Sequence, residues 1–152
     1  MDVRAVSGDD EAARRLLGEY LEEIERRLGR PLEPSEYPGA DAGALEPPAG
    51  RLLIAFDGGD AVACGAVRVI APGIAEVKRM YVAPQARGRG LGRTLLHRLE
   101  RCAVELGCRT VRLDTMAAMA EAAALYRSAG YEPIADYNGN PLAGVWMERT
   151  LS

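Results

Sequence analysis

Polar and apolar positions along the chain change their period several times, and each change marks an element. Val3 to Val6 is short and apolar-rich, as a first strand would be. The apolar residues Ala12, Leu16, Leu17, Tyr20, Leu21, Ile24 and Leu28 then recur every three to four positions, which places them on one side of a helix. Asp9 or Asp10 stands where a helix cap is favoured, Gly29 stands where a helix stops, and the intervening Glu and Arg residues form the wet face. Leu52 to Phe56 and Ala61 to Ile70 read as strands joined by the hairpin turn Asp57-Gly58-Gly59-Asp60. Pro72-Gly73 marks another turn, and Glu76 to Val82 is the third strand of this meander. Gly90 to Leu106 carries Leu91, Leu95, Leu99, Cys102 and Leu106 at helical spacing. Val111 to Asp114 reads as a strand, Met119 to Ala129 as a helix stopped by Gly130, and Val145 to Leu151 as a closing strand.

That order predicts an α/β (α+β) domain with a mixed, mostly antiparallel sheet, spanning residues 1–152 as one unit. From Arg30 to Gly50 the composition shifts to Pro, Gly, Ala and acidic residues, including Pro31, Pro34, Pro38, Pro47 and Pro48. A connection this long often serves binding, and a tolerated linker explains it equally well.

Net charge narrows the partners. The chain has 19 basic and 22 acidic side chains, net −3, so nothing in bulk attracts nucleic acid or an anionic membrane. Any polyanion must be held by a local cluster. Cys64, Cys102 and Cys108 show no metal spacing, and their odd number and apolar settings suit reduced structural thiols. No stretch approaches the ~20 apolar residues of a membrane span, and the first residues lack a signal-peptide pattern. The expectation is a cytoplasmic protein without a metal.

The local cluster is Gln85-Ala86-Arg87-Gly88-Arg89-Gly90-Leu91-Gly92, between a strand and a helix start. Glycines at alternate positions let the backbone approach a ligand, and helix-start amides favour anions. Arg87, Arg89 and Arg93 add cations suited to phosphate oxygens. A Walker loop would need Gly-Lys-Ser/Thr where Gly92 is followed by Arg93 and Thr94, and a dinucleotide fingerprint needs GxGxxG where this loop reads GxGxG. Taken alone, the loop reads either as a pyrophosphate cradle of another kind or as a glycine-rich surface turn with solvated arginines.

The stretch from Glu76 through Tyr81-Val82-Ala83-Pro84-Gln85 to Leu96 resembles the central motif of the GNAT superfamily of acyl-CoA-dependent N-acyltransferases, Q/R-x-x-G-x-G/A, at Gln85, Gly88 and Gly90. Leu125-Tyr126-Arg127-Ser128-Ala129-Gly130-Tyr131 resembles its second motif, L-Y-x-x-x-G-F/Y, at the expected separation. The resemblance implies a GNAT-like domain with a splayed central strand pair and helices on both faces. It further implies acetyl-CoA as co-substrate, with Gln85, Ala86, Arg87, Gly88, Arg89, Gly90, Leu91, Gly92 and Arg93 at the pyrophosphate. Met80, Tyr81 and Val82 would offer main-chain groups to the pantetheine arm, and an amide near Val82 would polarise the acetyl carbonyl. Many relatives carry Asn where this chain has Met119, so one cofactor contact is lost or replaced.

The implied reaction is direct attack of a primary amine on the thioester. Deprotonating a lysine-like amine at pH 7 costs about 4.6 kcal/mol, so a general base is useful. Glu76 is the candidate, since family members often place a glutamate there; a strand-end carboxylate paired with Arg or Lys is the alternative. Tyr126 matches the tyrosine that commonly protonates the departing thiolate; it would otherwise contact the sulfur or pack its helix. Asp114, with Thr115 at a strand end, is a reserve base, and His97 reads as a solvated helical histidine. The acceptor, a small-molecule amine or a protein amino group, would meet Tyr20, Glu23, Glu36, Tyr37, Tyr137, Asn138 and Asn140. Acidic residues on the first helix hint at a cationic acceptor and equally suit a solvated face. Relatives often pair through their last strands, so a homodimer is a further expectation. A non-catalytic acyl-CoA-binding or sensing domain is the competing reading.

Overall fold

The computed structural model describes residues 1–36 and 45–152. The strands are β1 (Asp2–Val6), β2 (Gly50–Asp57), β3 (Asp60–Ala71), β4 (Ile74–Val82), β5 (Thr110–Thr115), β6 (Glu132–Ile134) and β7 (Val145–Thr150). The helices are α1 (Glu11–Leu28), α2 (Leu91–Glu105) and α3 (Ala120–Ser128). Among the described residues the strands form one sheet in the order β1-β2-β3-β4-β5-β7-β6. Only the β4–β5 pair is parallel; the other neighbours are antiparallel. The α/β architecture with a mixed, mostly antiparallel sheet is therefore as expected.

Helix α1 starts at Asp10, whose Oδ2 accepts the Ala13 amide at 3.1 Å, and ends at Gly29 in the left-handed conformation (φ 73°). Of the two cap candidates, Asp10 is the one used. Its buried stripe is Ala13, Leu16 and Ile24, so Ala13 rather than Ala12 turns fully inward. Helix α1 covers one sheet face, packing Ala13 and Leu16 against Leu52, Ile54, Cys64, Ala66 and Tyr81. On the other face α2 buries Leu95, Leu96 and Leu99 completely against Val67, Ala75, Val77, Val111, Leu113 and Met147. Each such leucine contributes roughly 1.5–3 kcal/mol of transfer free energy.

The α2 stripe departs from the expected one. Leu96, Glu100 and Ala103 are buried, whereas Cys102 is half-buried. Glu100 is tolerated because Arg149 Nη1 lies 3.0 and 3.1 Å from its two oxygens and Tyr131 donates to it at 2.7 Å. Strand β6 was not anticipated. It is a three-residue edge strand with Pro133 opposite Met147, a position where a missing N–H is harmless.

Candidate active site

The site begins where β4 parts from β5. Their parallel pairing covers only Ile74–Thr110, Ala75–Val111 and Glu76–Arg112, although both strands continue beyond it. The cause lies on the opposite edge of β4. Between the pairs Cys64–Tyr81 and Ala66–Lys78, β3 supplies one residue, Gly65, and β4 supplies two, Arg79 and Met80. Arg79 takes φ 58° to make this bulge, which bends and twists β4 away from β5. A side chain at position 65 would bring a Cβ within 2.8 Å of both Met80 Sδ and Leu99 Cδ1, so the glycine opposite the bulge leaves room for those two side chains.

Beyond Val82 the chain makes a short 3-10 turn at Pro84–Ala86 and reaches α2 through Gly88 (φ 83°) and Gly90 (φ 77°), Gly90 being the helix cap. Both are left-handed, a conformation that costs other residues roughly 1 kcal/mol or more. A groove of about 340 Å³ runs from this loop between β4 and α3. It is lined by Met80, Tyr81, Val82, Ala86, Arg87, Gly88, Gly90, Leu91, Gly92, Arg93 and Tyr126, all expected at the cofactor, and also by Leu125 and Ala122. Gly92 lets α2 approach α3 closely, since a Cβ there would meet Leu125 Cδ2 at 3.1 Å.

Two expected loop residues are not on this groove. Gln85 and Arg89 line a shallow basin on the far side of the loop with Arg15 and Asp57, and Arg89 donates to Asp57 Oδ2 at 2.9 Å. The 3-10 turn and the left-handed glycines rotate alternate loop side chains to opposite sides. Arg87 faces the groove but is folded back, donating from Nε to Val82 O (2.8 Å) and from Nη2 to Glu23 Oε1 (2.6 Å). Arg93 bonds Ser128 Oγ on α3.

A second, smaller cavity of about 60 Å³ fills the gap between β4 and β5. Tyr20, Met80, Met119, Ala122 and Tyr126 line both spaces, so the groove opens directly onto the cavity. Its other walls include Lys78, Arg79, Asp114, Thr115, Asn140 and Leu142. Met119 stands at the start of α3 without a side-chain cap bond, where an asparagine would have capped the helix. Its thioether instead packs at the junction of the two spaces.

Tyr126 is 5% exposed and lies 6.1 Å, ring to ring, from Tyr131. Burial first, and then the Asp114 carboxylate, raises its pKa, so the phenol holds its proton. Glu76 is 1% exposed and lines neither space. Its Oε1 receives Arg68 Nε and Nη2 (3.1 and 3.0 Å) with Lys78 Nζ at 3.5 Å. Its Oε2 receives Tyr137 Oη (2.7 Å) and Asn138 Nδ2 (3.1 Å). Burial pushes its pKa up, but Lys78, Tyr137, Asn138 and Arg68 together outweigh burial and hold the carboxyl below its usual range. As a base Glu76 would first have to shed one of these donors.

Asn138 ties this arrangement together. Its Nδ2 also donates to Asp114 Oδ2 at 2.6 Å, and its Oδ1 accepts Trp146 Nε1 (2.9 Å) and the Asn140 amide (3.1 Å). Tyr137, Asn138 and Asn140 are therefore brought together around Glu76 and Asp114. Tyr20 and Glu23 line the larger groove beside the glycine loop instead. Glu36 lines neither space and is held by Arg30 through two 2.7 Å bonds, and Tyr37 lies outside the described residues. His97 is exposed, and Cys64 is buried with its thiol pushed up to about 12 by that burial. Among the described residues no group of three His, Cys, Asp or Glu is placed to hold a metal, and no helix is long and apolar enough to cross a membrane.

The sequence model of the acetyltransferase (GNAT) family matches residues 13–131, most of the chain and all of the groove. The chain belongs to the GNAT family. An IAA acetyltransferase of Azospirillum brasilense is 38% identical to this GNAT chain over 138 residues, covering 88% of this chain and 89% of that one. A Klebsiella pneumoniae structure ascribed to the acyl-CoA N-acyltransferases is 32% identical, covers 99% of this chain and 97% of that one, and superposes with a TM-score of 0.80. A GNAT acetyltransferase of Elizabethkingia anophelis, solved with acetyl-CoA bound, shares the fold (TM-score 0.68, 14% identity, 99% and 97% covered). This GNAT chain is an acyltransferase.

Proposed function

We propose that this chain moves the acetyl group of acetyl-CoA to a primary amine by direct attack in a ternary complex. The observation that carries the reading is the shared wall of Tyr20, Met80, Met119, Ala122 and Tyr126, which joins the phosphate loop's groove to the β4–β5 cavity. In this reading Ala86 to Arg93 hold the pyrophosphate, while Met80, Tyr81 and Val82 flank the pantetheine arm. Once bound, acetyl-CoA supplies the activated acyl group. Tyr126, buried and protonated at the junction, delivers a proton to the departing thiolate. None of the three cysteines lines either space, which favours direct transfer over a covalent relay. Glu76, expected as the base, is enclosed by donors and in this arrangement holds the Tyr137–Asn138 loop in place.

The test is thiol release from acetyl-CoA against a panel of amines, amino acids and peptides, with CoA binding measured in parallel. Amine-dependent release above hydrolysis supports transfer. CoA binding without release for any acceptor supports the non-catalytic acyl-CoA-binding domain instead.

A further inference from the structure

The two carboxylates at the site differ in what they can still do. Glu76 is occupied on both oxygens and walled off from the cavities. Asp114, next to last in β5, stands on the cavity wall, and its bonds from Asn138 Nδ2 (2.6 Å) and Asn140 Nδ2 (3.2 Å) both fall on Oδ2. Among the described residues Oδ1 receives no hydrogen bond, so one oxygen of a fixed carboxylate keeps its full accepting capacity. Asn138 cannot turn away to relieve it, because its own oxygen is taken by Trp146 and the Asn140 amide. The groups facing Asp114 across the cavity are Tyr20 on α1, Lys78 and Arg79 on β4, and Tyr126 on α3, with Tyr137 in the loop above.

We infer that Asp114 is the catalytic carboxylate of this site, receiving the acceptor's ammonium on Oδ1, and that the acceptor is a compact amine with a single positive charge. This rests on the acetyl-transfer reading above. The cavity's volume, at ~10–15 Å³ per water-sized group, holds about four to six such groups, which limits what can enter ahead of the amine. Ile24, Met116, Met119 and Leu142 offer that group an apolar wall. Lys78 and Arg79 stand on the β4 side, so a second ammonium on the acceptor would meet like charge. In the reaction an ammonium proton passes to Asp114, the free nitrogen forms its bond to the acetyl carbon, and the C–S bond breaks. The nitrogen, still carrying a second acidic proton once bonded to the acetyl carbon, releases it to solvent to leave the neutral amide. The thiolate takes the Tyr126 proton, the phenolate recovers one from solvent, and Asp114 releases its own to solvent.

The experiment measures kcat/KM from pH 6 to 10 for wild type, Asp114→Asn, Asp114→Ala and Glu76→Gln, with propylamine-sized monoamines and matched diamines. CoA affinity is measured on every variant, so a folding defect is seen directly. Both Asp114 variants are expected to bind CoA normally, to lose about 10²-fold or more in kcat/KM near neutrality, and to recover as pH rises and the amine deprotonates by itself. Turnover that either CoA-binding Asp114 variant keeps within threefold at neutral pH overturns the assignment alone. Diamines preferred tenfold over monoamines overturn the acceptor class. No wild-type turnover with any amine removes the acetyl-transfer reading, and this inference with it.

Discussion

Arg87 is held by Glu23, with Nη2 2.6 Å from Glu23 Oε1, while its Nε donates to the Val82 carbonyl at 2.8 Å. Its guanidinium carbon also sits 5.9 Å from the centre of the Tyr81 ring. Glu23 passes the interaction on to Arg27 at 3.9 Å, and Arg27 pairs with Glu121 on α3. Loop, α1 and α3 are thus laced by charge across the mouth of the groove. In the proposed function, a pyrophosphate reaching the loop would compete with Glu23 for Arg87, and a pantetheine amide would compete with Arg87 for Val82 O.

Glu23→Gln should therefore tighten acetyl-CoA binding. The Arg87 side chain is 39% exposed, and exposed pairs contribute about 0.2–1 kcal/mol, so affinity should rise roughly 1.4- to 5-fold. Arg87→Ala should weaken binding and flatten its dependence on salt. Calorimetric titration with CoA at low and moderate ionic strength measures both. Weaker binding by Glu23→Gln would contradict the competition.

Glu76 should matter to stability before it matters to chemistry. In Glu76→Gln the amide nitrogen would face the Tyr137 and Asn138 donors, and Arg68 and Lys78 would lose their anion. Hydrogen bonds to a charged group contribute about 1.5–3 kcal/mol, so urea unfolding should show a loss of that order. The wild-type pKa is depressed on folding, so this stability is present above the ordinary glutamate pKa of about 4.3 and is lost as pH falls through the lower folded value. The variant should accordingly lose less stability than wild type on acidification below that point. A variant as stable as wild type but inactive would make Glu76 catalytic after all.

Gly65 is predicted to couple stability to cofactor affinity. A methyl group there meets Met80 Sδ and Leu99 Cδ1 at 2.8 Å, both at the ends of flexible side chains. Gly65→Ala should therefore cost near the low end of the 1–3 kcal/mol typical of overpacking, a fall of about 2–4 °C in Tm. Because Met80 lines both cavities, the KM for acetyl-CoA should rise as well. An unchanged KM with the expected Tm loss would show that the strain relaxes toward Leu99 alone.

Much of this molecule was legible in sequence because local chemistry agreed with tertiary demand. The α1 stripe, the Asp57–Asp60 hairpin and the glycine loop each carried their own signal. The bulge in β4 was implied by the family resemblance alone and had no local signal, since Arg79 is a poor residue for φ 58° and is held there by the register of β3. The burial of Glu100 depends on Tyr131 and Arg149, 31 and 49 positions away. Likewise Asn138 joins Glu76 and Asp114 only because the loop before β7 folds back over β4 and β5. Sequence spacing named the residues on that side but gave no means to tell an enclosed carboxylate from an open one. The loop's two sides were hidden for a related reason, as turn geometry alone decides that Arg87 and Arg89 face opposite ways.

Tyr126 offers the sharpest kinetic prediction. Its phenol is buried where the groove meets the β4–β5 cavity, and burial followed by the Asp114 charge raises its pKa above the ordinary value near 10. The proton is therefore in place throughout neutral and mildly alkaline pH, and the wild-type rate should not decline below about pH 10 through loss of this acid. Tyr126→Phe keeps the ring and its packing against Tyr131, so the KM for acetyl-CoA should stay close to wild type. Removing the proton donor should lower kcat by about 10²-fold or more. An activated acyl donor whose thiolate leaves without protonation should restore much of that loss. A Phe variant that keeps the wild-type kcat with acetyl-CoA would leave the tyrosine as a packing residue and move the thiolate's proton to water.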